Sequence, residues 1–306
     1  MQIKNNLNEE DIKVLKFLSK YKILKIEDAS LIYKTKSYYR QRVNKLIANC
    51  YVKRYKNHII LDKAGRKILN EVGSGYIKNI SNEPYMERLR NIASVATLSI
   101  DSEIQFIPSW DMKEKDRFTE KARRYIGKLK YDNKDYLVYY ISSKKEHVYI
   151  KQVLFDINKA LDNSNVIIFL ESLDIIRKQY SNLSFGKKTT YIVLDTGANK
   201  EFLKRYEHTD IHELFETLYE KDIMISNWEY ADYLIEDGRY IVNMMILDTE
   251  KISRLNWFFK ENNMSKKDIE IITFKEYEFK IKELLEFNCN IKIIDKDLLG
   301  GTSEEL

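Results

Sequence analysis

The side chains whose types and spacing point most clearly to chemistry lie in one predicted helix, which begins at a Ser37 cap and runs to about Asn49. One face of this helix collects hydroxyl, amide and cationic groups: Ser37, Tyr38, Gln41, Arg42, Asn44 and Lys45. The opposite face is apolar at three- and four-residue spacings, with Tyr39, Val43, Leu46, Ile47 and Cys50. Amides and cations match base edges and phosphates. The pattern therefore predicts that the apolar face anchors the helix and that the polar face contacts DNA.

Two helices are predicted ahead of this one, and a basic hairpin is predicted after it. The first helix spans Glu9–Tyr21, because apolar residues recur at helical spacing and Asn8 is a suitable N-cap. The second spans Ile26–Tyr33, and a turn follows at 34–36. The sequence then predicts strands over 51–54 and 59–61, joined at Lys56-Asn57-His58, and a closing helix over 61–69.

This order of elements predicts a winged helix-turn-helix, in which the third helix enters the major groove and the hairpin is the wing. Three wing residues, Arg54, Lys56 and His58, are then expected to touch phosphates or the minor groove. The DNA-binding domain is expected to occupy residues 1–75, followed by a linker within 72–84 that is rich in Gly, Ser and Asn. The alternative is a small helical bundle without a ligand.

The charge distribution favours the same function. Residues 1–80 contain 18 Lys and Arg against 7 Asp and Glu, a balance of +11, whereas the rest of the chain has a balance of −6. A basic module joined to a mildly acidic body is typical of nucleic-acid binding, although a merely solvated lysine-rich face is the alternative.

Beyond the linker, helical and strand-like patterns alternate over residues 85–300, which predicts an α/β domain with a mixed sheet. A hairpin is expected around Asp132-Asn133-Lys134, with strands over 125–130 and 136–141. Further strands are expected over 166–170, 191–194, 240–247, 269–274 and 291–294. Helices are expected over 87–98, 148–161, 251–261 and 275–287.

The N-terminal quarter resembles the replication-relaxation family of plasmid and conjugative-element proteins. The matching runs are 11–18, 21–24, 37–46, 52–54 and 61–65. The resemblance implies a winged-helix protein that binds DNA in the replication, transfer or transcriptional control of a mobile element. It also implies that the second domain is a degenerate restriction-endonuclease-like fold. Where that family has an Asp and then a Glu on successive strands, this chain has Ile126 and Tyr139 or Tyr140, so metal-dependent cleavage is not expected.

Other motifs give weaker signals. The run 186–189 lacks the upstream Gly of a P-loop, and 73–75 lacks the third Gly of a dinucleotide-binding fingerprint. His208 and His212, four residues apart on a predicted helix, are either a metal pair or two surface histidines. Four carboxylates fall near the ends of predicted strands, where ligand sites and ordinary loop residues both occur: Glu171, Asp195, Asp248 and Asp295. Neither a metal nor another cofactor is expected.

These observations favour a non-enzymatic protein of a plasmid or phage that binds double-stranded DNA sequence-specifically. The chain shows no signal peptide and no run long enough to cross a membrane, so a cytoplasmic location without membrane partners is expected. The second domain would supply homodimerisation or a partner surface. Two alternatives remain open, a metal-dependent nuclease or nicking enzyme and a ligand-sensing transcriptional repressor.

Overall fold

A computed structural model describes residues 7–35, 37–71, 83–112, 124–143, 145, 147–159, 165–175, 189–262 and 268–300. Clustering of contacts divides the chain into two compact units, Met1–Met112 and Lys113–Leu306. Helices and mixed sheets occur together, which confirms the predicted mixed α/β class. The predicted linker and the run 73–75 lie outside the described residues, apart from Glu83 and Pro84.

The first unit contains five helices and four strands among its described residues. In chain order they are α1 (Glu9–Tyr21), β1 (Ile23–Lys25), α2 (Ala29–Tyr33), α3 (Tyr38–Ala48), β2 (Val52–Tyr55), β3 (His58–Leu61), α4 (Lys63–Glu71), α5 (Glu83–Ala96) and β4 (Gln105–Pro108). Strands β1, β3 and β2 form an antiparallel sheet in that order. The structure thus adds the short strand β1, which the sequence analysis did not predict.

Helix α1 begins where the sequence predicts, and its start is fixed by a reciprocal cap. The Asn8 side chain accepts a hydrogen bond from the Asp11 amide, and the Asp11 carboxylate accepts one from the Asn8 amide. Such a capping box satisfies two amides that would otherwise lack partners at the helix start. The apolar face of α1 buries Val14, Leu15 and Leu18 completely.

A close backbone approach explains the glycine in the motif that opens α4. A Cβ atom built on Gly65 would lie 2.2 Å from the carbonyl oxygen of Tyr51, so no larger residue fits without a backbone shift. The amide of Asp62 donates to that same carbonyl at 3.0 Å. Gly65 therefore allows α4 to pack against the start of the hairpin that β2 and β3 form.

The second unit contains strands that form two sheets. Its elements are β5 (Gly127–Tyr131), β6 (Lys134–Ile141), α6 (His147–Lys159), β7 (Asn165–Leu170), β8 (Thr189–Leu194), α7 (Gly197–Tyr206), α8 (Ile211–Tyr219), β9 (Ile223–Ile225), β10 (Tyr233–Ile235), β11 (Tyr240–Asn243), β12 (Leu247–Asp248), α9 (Thr249–Asn262), β13 (Ile269–Phe274), α10 (Lys275–Leu284) and β14 (Asn290–Ile294).

Both sheets of the second unit mix parallel and antiparallel pairs. Within this unit the first sheet has the order β12-β8-β7-β6-β5, with β6, β7 and β8 parallel and the outer pairs antiparallel. The second has the order β14-β13-β11-β10-β9, with parallel pairs only among β11, β13 and β14. Strand β7 is buried from Val166 to Leu170, which is typical of a central parallel strand covered on both faces.

Several predicted details are corrected by the structure. The single strand expected over 240–247 is two strands, β11 and β12, which belong to different sheets. Helix α3 ends at Ala48, so Cys50 lies beyond it with a φ of 55° and is exposed, contrary to the inward position expected for it. Ser37 occupies the N-cap position of α3, but its side chain makes no capping hydrogen bond.

Candidate nucleic-acid interface

Helix α3 presents a polar, cationic face to solvent. Its exposed residues include Arg40, Gln41, Asn44 and Lys45, whereas Tyr39, Val43 and Leu46 are buried in the first unit. The predicted division of this helix into an anchoring face and a free face is therefore present, and Arg40 joins the free face. Ser37 and Tyr38 are also exposed, at the N-terminal end of the helix.

Arg42 does not belong to this free face. Its guanidinium forms an ion pair with Asp11, and its Nε donates to the same carboxylate at 3.2 Å. Asp11 is fully buried, and the Arg42 side chain is only 11% exposed. This hydrogen bond raises the pKa of the Arg42 guanidinium. We therefore remove Arg42 from the predicted DNA contacts, because its cationic group is already used to join α3 to α1.

A third residue completes the group around Asp11. The hydroxyl of Tyr33, at the end of α2, donates to the Asp11 carboxylate at 2.6 Å. Burial, with the hydrogen bond to Asp11, raises the pKa of Tyr33. The ring of Tyr33 also packs edge-to-face against that of Tyr38, with centroids 6.1 Å apart. A single buried carboxylate thus fixes α1, α2 and α3 relative to one another.

The hairpin of β2 and β3 carries the second part of the candidate interface. Lys53, Arg54 and Lys56 are exposed on it. The turn consists of Lys56 and Asn57, and Lys56 adopts a left-handed conformation with a φ of 55°. The Nε of Arg54 donates to the carbonyl of Lys56 at 3.0 Å, which ties the arginine to the turn.

His58 has a different position from the one expected. It is the first residue of β3, is paired with Tyr55, and is only 8% exposed. Burial, with smaller effects from Arg90 and Lys25, lowers the pKa of His58 to about 4. The imidazole is therefore neutral and enclosed near pH 7, and we remove His58 from the predicted phosphate contacts.

A cleft of about 280 Å³ lies between α3 and the hairpin. From α3 it is lined by Tyr39, Arg40 and Asn44, from the hairpin by Arg54 and Asn57, and from the segment before α2 by Glu27. Glu27 forms an ion pair with Lys25 at 2.6 Å, and this contact lowers the pKa of its carboxyl group. The sequence analysis did not assign Arg40 or Asn57 to the interface, because the cleft depends on how the hairpin folds back beside α3.

In the second unit, the positions at which the family resemblance implied carboxylates are apolar or aromatic and buried. Ile126 precedes β5, and Tyr139 and Tyr140 lie within β6. The Tyr140 hydroxyl donates to Asp195, just after β8, and Asp195 also pairs with Lys200 at 2.7 Å. Two of the strand-end carboxylates, Asp195 and Glu171, thus lie beyond the carboxyl ends of parallel strands.

The other two strand-end carboxylates have local backbone roles. Asp248 is buried and accepts hydrogen bonds from the amides of Glu250 and Lys251 at the start of α9, and burial raises the pKa of its carboxyl group. Asp295 follows β14 and accepts a hydrogen bond from the Asp297 amide at 3.2 Å. Asp248 therefore stabilises the start of α9 from the end of β12, and Asp295 stabilises the turn that follows β14.

The prediction that His208 and His212 lie on one helix is wrong. His208 lies in the turn before α8, whereas His212 is in its first turn and its Nε2 lies 2.8 Å from the carbonyl oxygen of Ile223. Among the described residues, no group of three or more His, Cys, Asp or Glu side chains could hold a metal ion.

None of the described helices combines the length and apolar composition needed to span a bilayer. No protein-family model, curated protein or solved structure matches this chain.

Proposed function

We propose that residues 7–71 form a winged helix-turn-helix that binds double-stranded DNA sequence-specifically. The observation that carries the proposal is the exposed polar and cationic face of α3, which lies beside an exposed cationic hairpin. Gln41 and Asn44 can form paired hydrogen bonds with a base such as adenine, and Lys45 can contact a phosphate. Arg54 and Lys56 can hold the DNA backbone from the hairpin.

The topology of this part of the chain supports the proposal. Helix α3 follows α2 after a short turn, and the three-stranded antiparallel sheet ends in the hairpin, which is the element order of a winged helix. Asp11 and the buried face of α3 fix the helix from behind, so its outer face is rigid. A rigid recognition surface loses less entropy when it binds.

The biological role is proposed on the resemblance to the replication-relaxation family. In this proposal the DNA is an origin, transfer region or promoter of a plasmid or phage, and the protein does not cleave it. The second unit would then serve as a homodimerisation or partner surface, with a restriction-endonuclease-like fold that lacks catalytic carboxylates. The buried Ile126, Tyr139 and Tyr140 support the non-enzymatic part of this proposal.

Equilibrium binding of the full chain to a random-sequence duplex tests the first step. Lys and Arg side chains that contact phosphates release counterions from the DNA, so affinity should fall steeply as the salt concentration rises. The logarithm of the binding constant, plotted against the logarithm of the salt concentration, should have a slope of about −3 to −5 for about four or five contacts. The Arg54→Gln/Lys56→Asn variant should bind at least tenfold more weakly at low salt, whereas Lys16→Gln, which removes an exposed cation from α1, should not. Salt-independent binding or no binding would reject the proposal.

Selection from a pool of random duplexes tests sequence specificity. The full chain should enrich a common motif and bind it at least a hundredfold more tightly than the unselected pool. Footprinting of the enriched motif on the DNA of the host element would then separate an origin from a promoter. Enrichment of no motif would leave non-specific binding as the function and would reject base contacts by α3.

A further inference from the structure

Two guanidinium groups line the cleft between α3 and the hairpin, and each is held at one end. The Nε of Arg40 donates to the hydroxyl of Tyr39 at 3.1 Å, and the Nε of Arg54 donates to the carbonyl of Lys56 at 3.0 Å. Within the described part of the chain, neither guanidinium forms a further hydrogen bond or salt bridge, and the Glu27 carboxylate acts on Arg40 only through a longer-range charge interaction. Both side chains are therefore oriented by the protein while their Nη donors stay open.

This arrangement suits a phosphate. A guanidinium that is fixed through Nε presents its two Nη groups as a planar fork, and that fork matches a pair of phosphate oxygens. Asn44 and Asn57 line the same cleft and add amide donors from both sides. Because the arginines are already positioned, less side-chain entropy is lost when an anion enters.

We propose that this cleft seats one backbone phosphate of bound DNA, held by Arg40 from α3 and Arg54 from the hairpin. The inference rests on the proposed function. If α3 occupies the major groove and the hairpin reaches the neighbouring minor groove, the strand that separates these grooves passes between the two elements. The cleft lies at that place, and its two arginines approach from opposite sides.

Glu27 limits which anions can fill this site. Its carboxylate lines the cleft and remains charged, because Lys25 lies 2.6 Å away. A free anion in the cleft is repelled by this negative charge and gains no contact outside the cleft. A phosphate within a duplex is also held by the other contacts of α3 and the hairpin, so the occupant is a DNA phosphate rather than a soluble anion.

Ethylation interference on the selected duplex tests the site directly, because an ethylated phosphate loses its charge. With the wild-type full chain, ethylation of one phosphate between the region covered by α3 and that covered by the hairpin should block binding. With Arg40→Gln/Arg54→Gln, ethylation of that same phosphate should have no further effect, while the other interfering phosphates should remain. An unchanged pattern in the variant would overturn the inference and leave the proposed function intact. If the wild-type chain binds no duplex, the proposed function itself fails.

A double-mutant cycle tests whether the two arginines share one phosphate. Arg40→Gln and Arg54→Gln should each weaken binding about tenfold at 0.1 M salt. The double variant should be weaker by clearly less than the product of the two effects, because one shared contact is lost. Lys45→Gln is the matched control on α3, and its effect should multiply independently with that of Arg54→Gln. Independent effects of Arg40 and Arg54 would contradict a shared phosphate.

Discussion

The carboxylate of Asp11, fully buried near the start of α1, forms an ion pair with the guanidinium of Arg42 in the middle of α3. Tyr33 donates a further hydrogen bond to that carboxylate from α2. Burial of a charged group is costly unless its oxygens are paired. This group of three residues therefore fixes the orientation of α3 in the first unit. Because Arg42 pairs with Asp11, its cation does not contribute to the candidate DNA-binding surface.

The first prediction concerns stability. Arg42→Ala should lower the free energy of unfolding by about 2 to 3 kcal/mol, because it leaves the Asp11 charge buried without its cation. The effect is below the usual range for an enclosed pair because Arg42 keeps some contact with solvent. Urea denaturation followed by circular dichroism measures the change. Lys45→Ala, an exposed change on the same helix, should alter stability by less than about 0.5 kcal/mol. Equal stabilities of the two variants would contradict a structural role for Arg42.

Local patterns in the sequence were sufficient for most helices and many of the strands, because periodicity and capping act over a few residues. They did not predict α7 or the short strands β1, β4, β9 and β10. They predicted the bounds of α1 and β13 and the Asn8 cap correctly. They did not predict the partner of Arg42, since Asp11 lies 31 residues away and a helix position does not reveal which neighbour faces it. Cys50 was misplaced because helical periodicity was extended past the residue where the chain leaves α3.

The candidate site was predicted only in part, because local patterns show which face of a helix is exposed but not which elements lie side by side. Exposure of Gln41 and Lys45 follows from the face of an amphipathic helix, which a sequence displays directly. His58 was placed in the turn, but the turn is one residue shorter, so that His58 enters β3 and becomes buried. The cleft requires that α3 and the hairpin be adjacent in space, and no spacing within either element contains that information.

The second prediction separates base contacts from phosphate contacts. Gln41→Ala should reduce the preference for the selected duplex over a random duplex by about 1–3 kcal/mol, because its amide can pair with one base. Its affinity for random duplexes should change little. Lys56→Asn, a residue that tolerates the left-handed turn, should weaken binding to all duplexes alike and reduce the salt slope by about one unit. Fluorescence anisotropy on both duplexes measures these effects. If Gln41→Ala weakens binding to both duplexes equally, α3 does not contact bases through that residue.

The third prediction concerns pH. The pKa of His58 is about 4 in the folded protein and near 6.5 in an unfolded chain, so only the unfolded state binds a proton between these values. The stabilising contribution is complete above pH 6.5 and is lost as the pH falls toward 4. The stability of the wild type relative to His58→Leu should therefore decrease by about 2 kcal/mol between pH 7 and pH 4.5. A difference in stability between the two proteins that does not depend on pH would show that His58 is not enclosed. A lower DNA affinity of His58→Leu at pH 7 would show that His58 does contribute to DNA binding.

The fourth prediction concerns catalysis. The purified full chain should leave supercoiled and linear DNA intact with Mg²⁺ or Mn²⁺, because buried Ile126, Tyr139 and Tyr140 stand where the proposed family resemblance implies the carboxylates that such a reaction needs. Agarose gel electrophoresis of a supercoiled plasmid detects even a single nick per molecule. Nicking that is retained through purification and is abolished by Glu171→Gln or Asp195→Asn would establish a nuclease site at the carboxyl ends of the parallel strands.

The last prediction concerns the carboxylate of Glu27, which lines the cleft. Glu27→Gln removes a negative charge beside Arg40 while keeping the size of the side chain, so a DNA phosphate in the cleft should experience less repulsion. Affinity for a random duplex should rise about two- to fivefold at 0.1 M salt, and the gain should shrink at higher salt because exposed charges are screened. Glu9→Gln, at the exposed start of α1, is a control of equal charge that should change affinity less. In the Arg40→Gln/Arg54→Gln background the gain from Glu27→Gln should largely disappear, because the phosphate is no longer held near it. A gain that persists in that background would show that Glu27 acts on DNA generally, without a phosphate bound in this cleft.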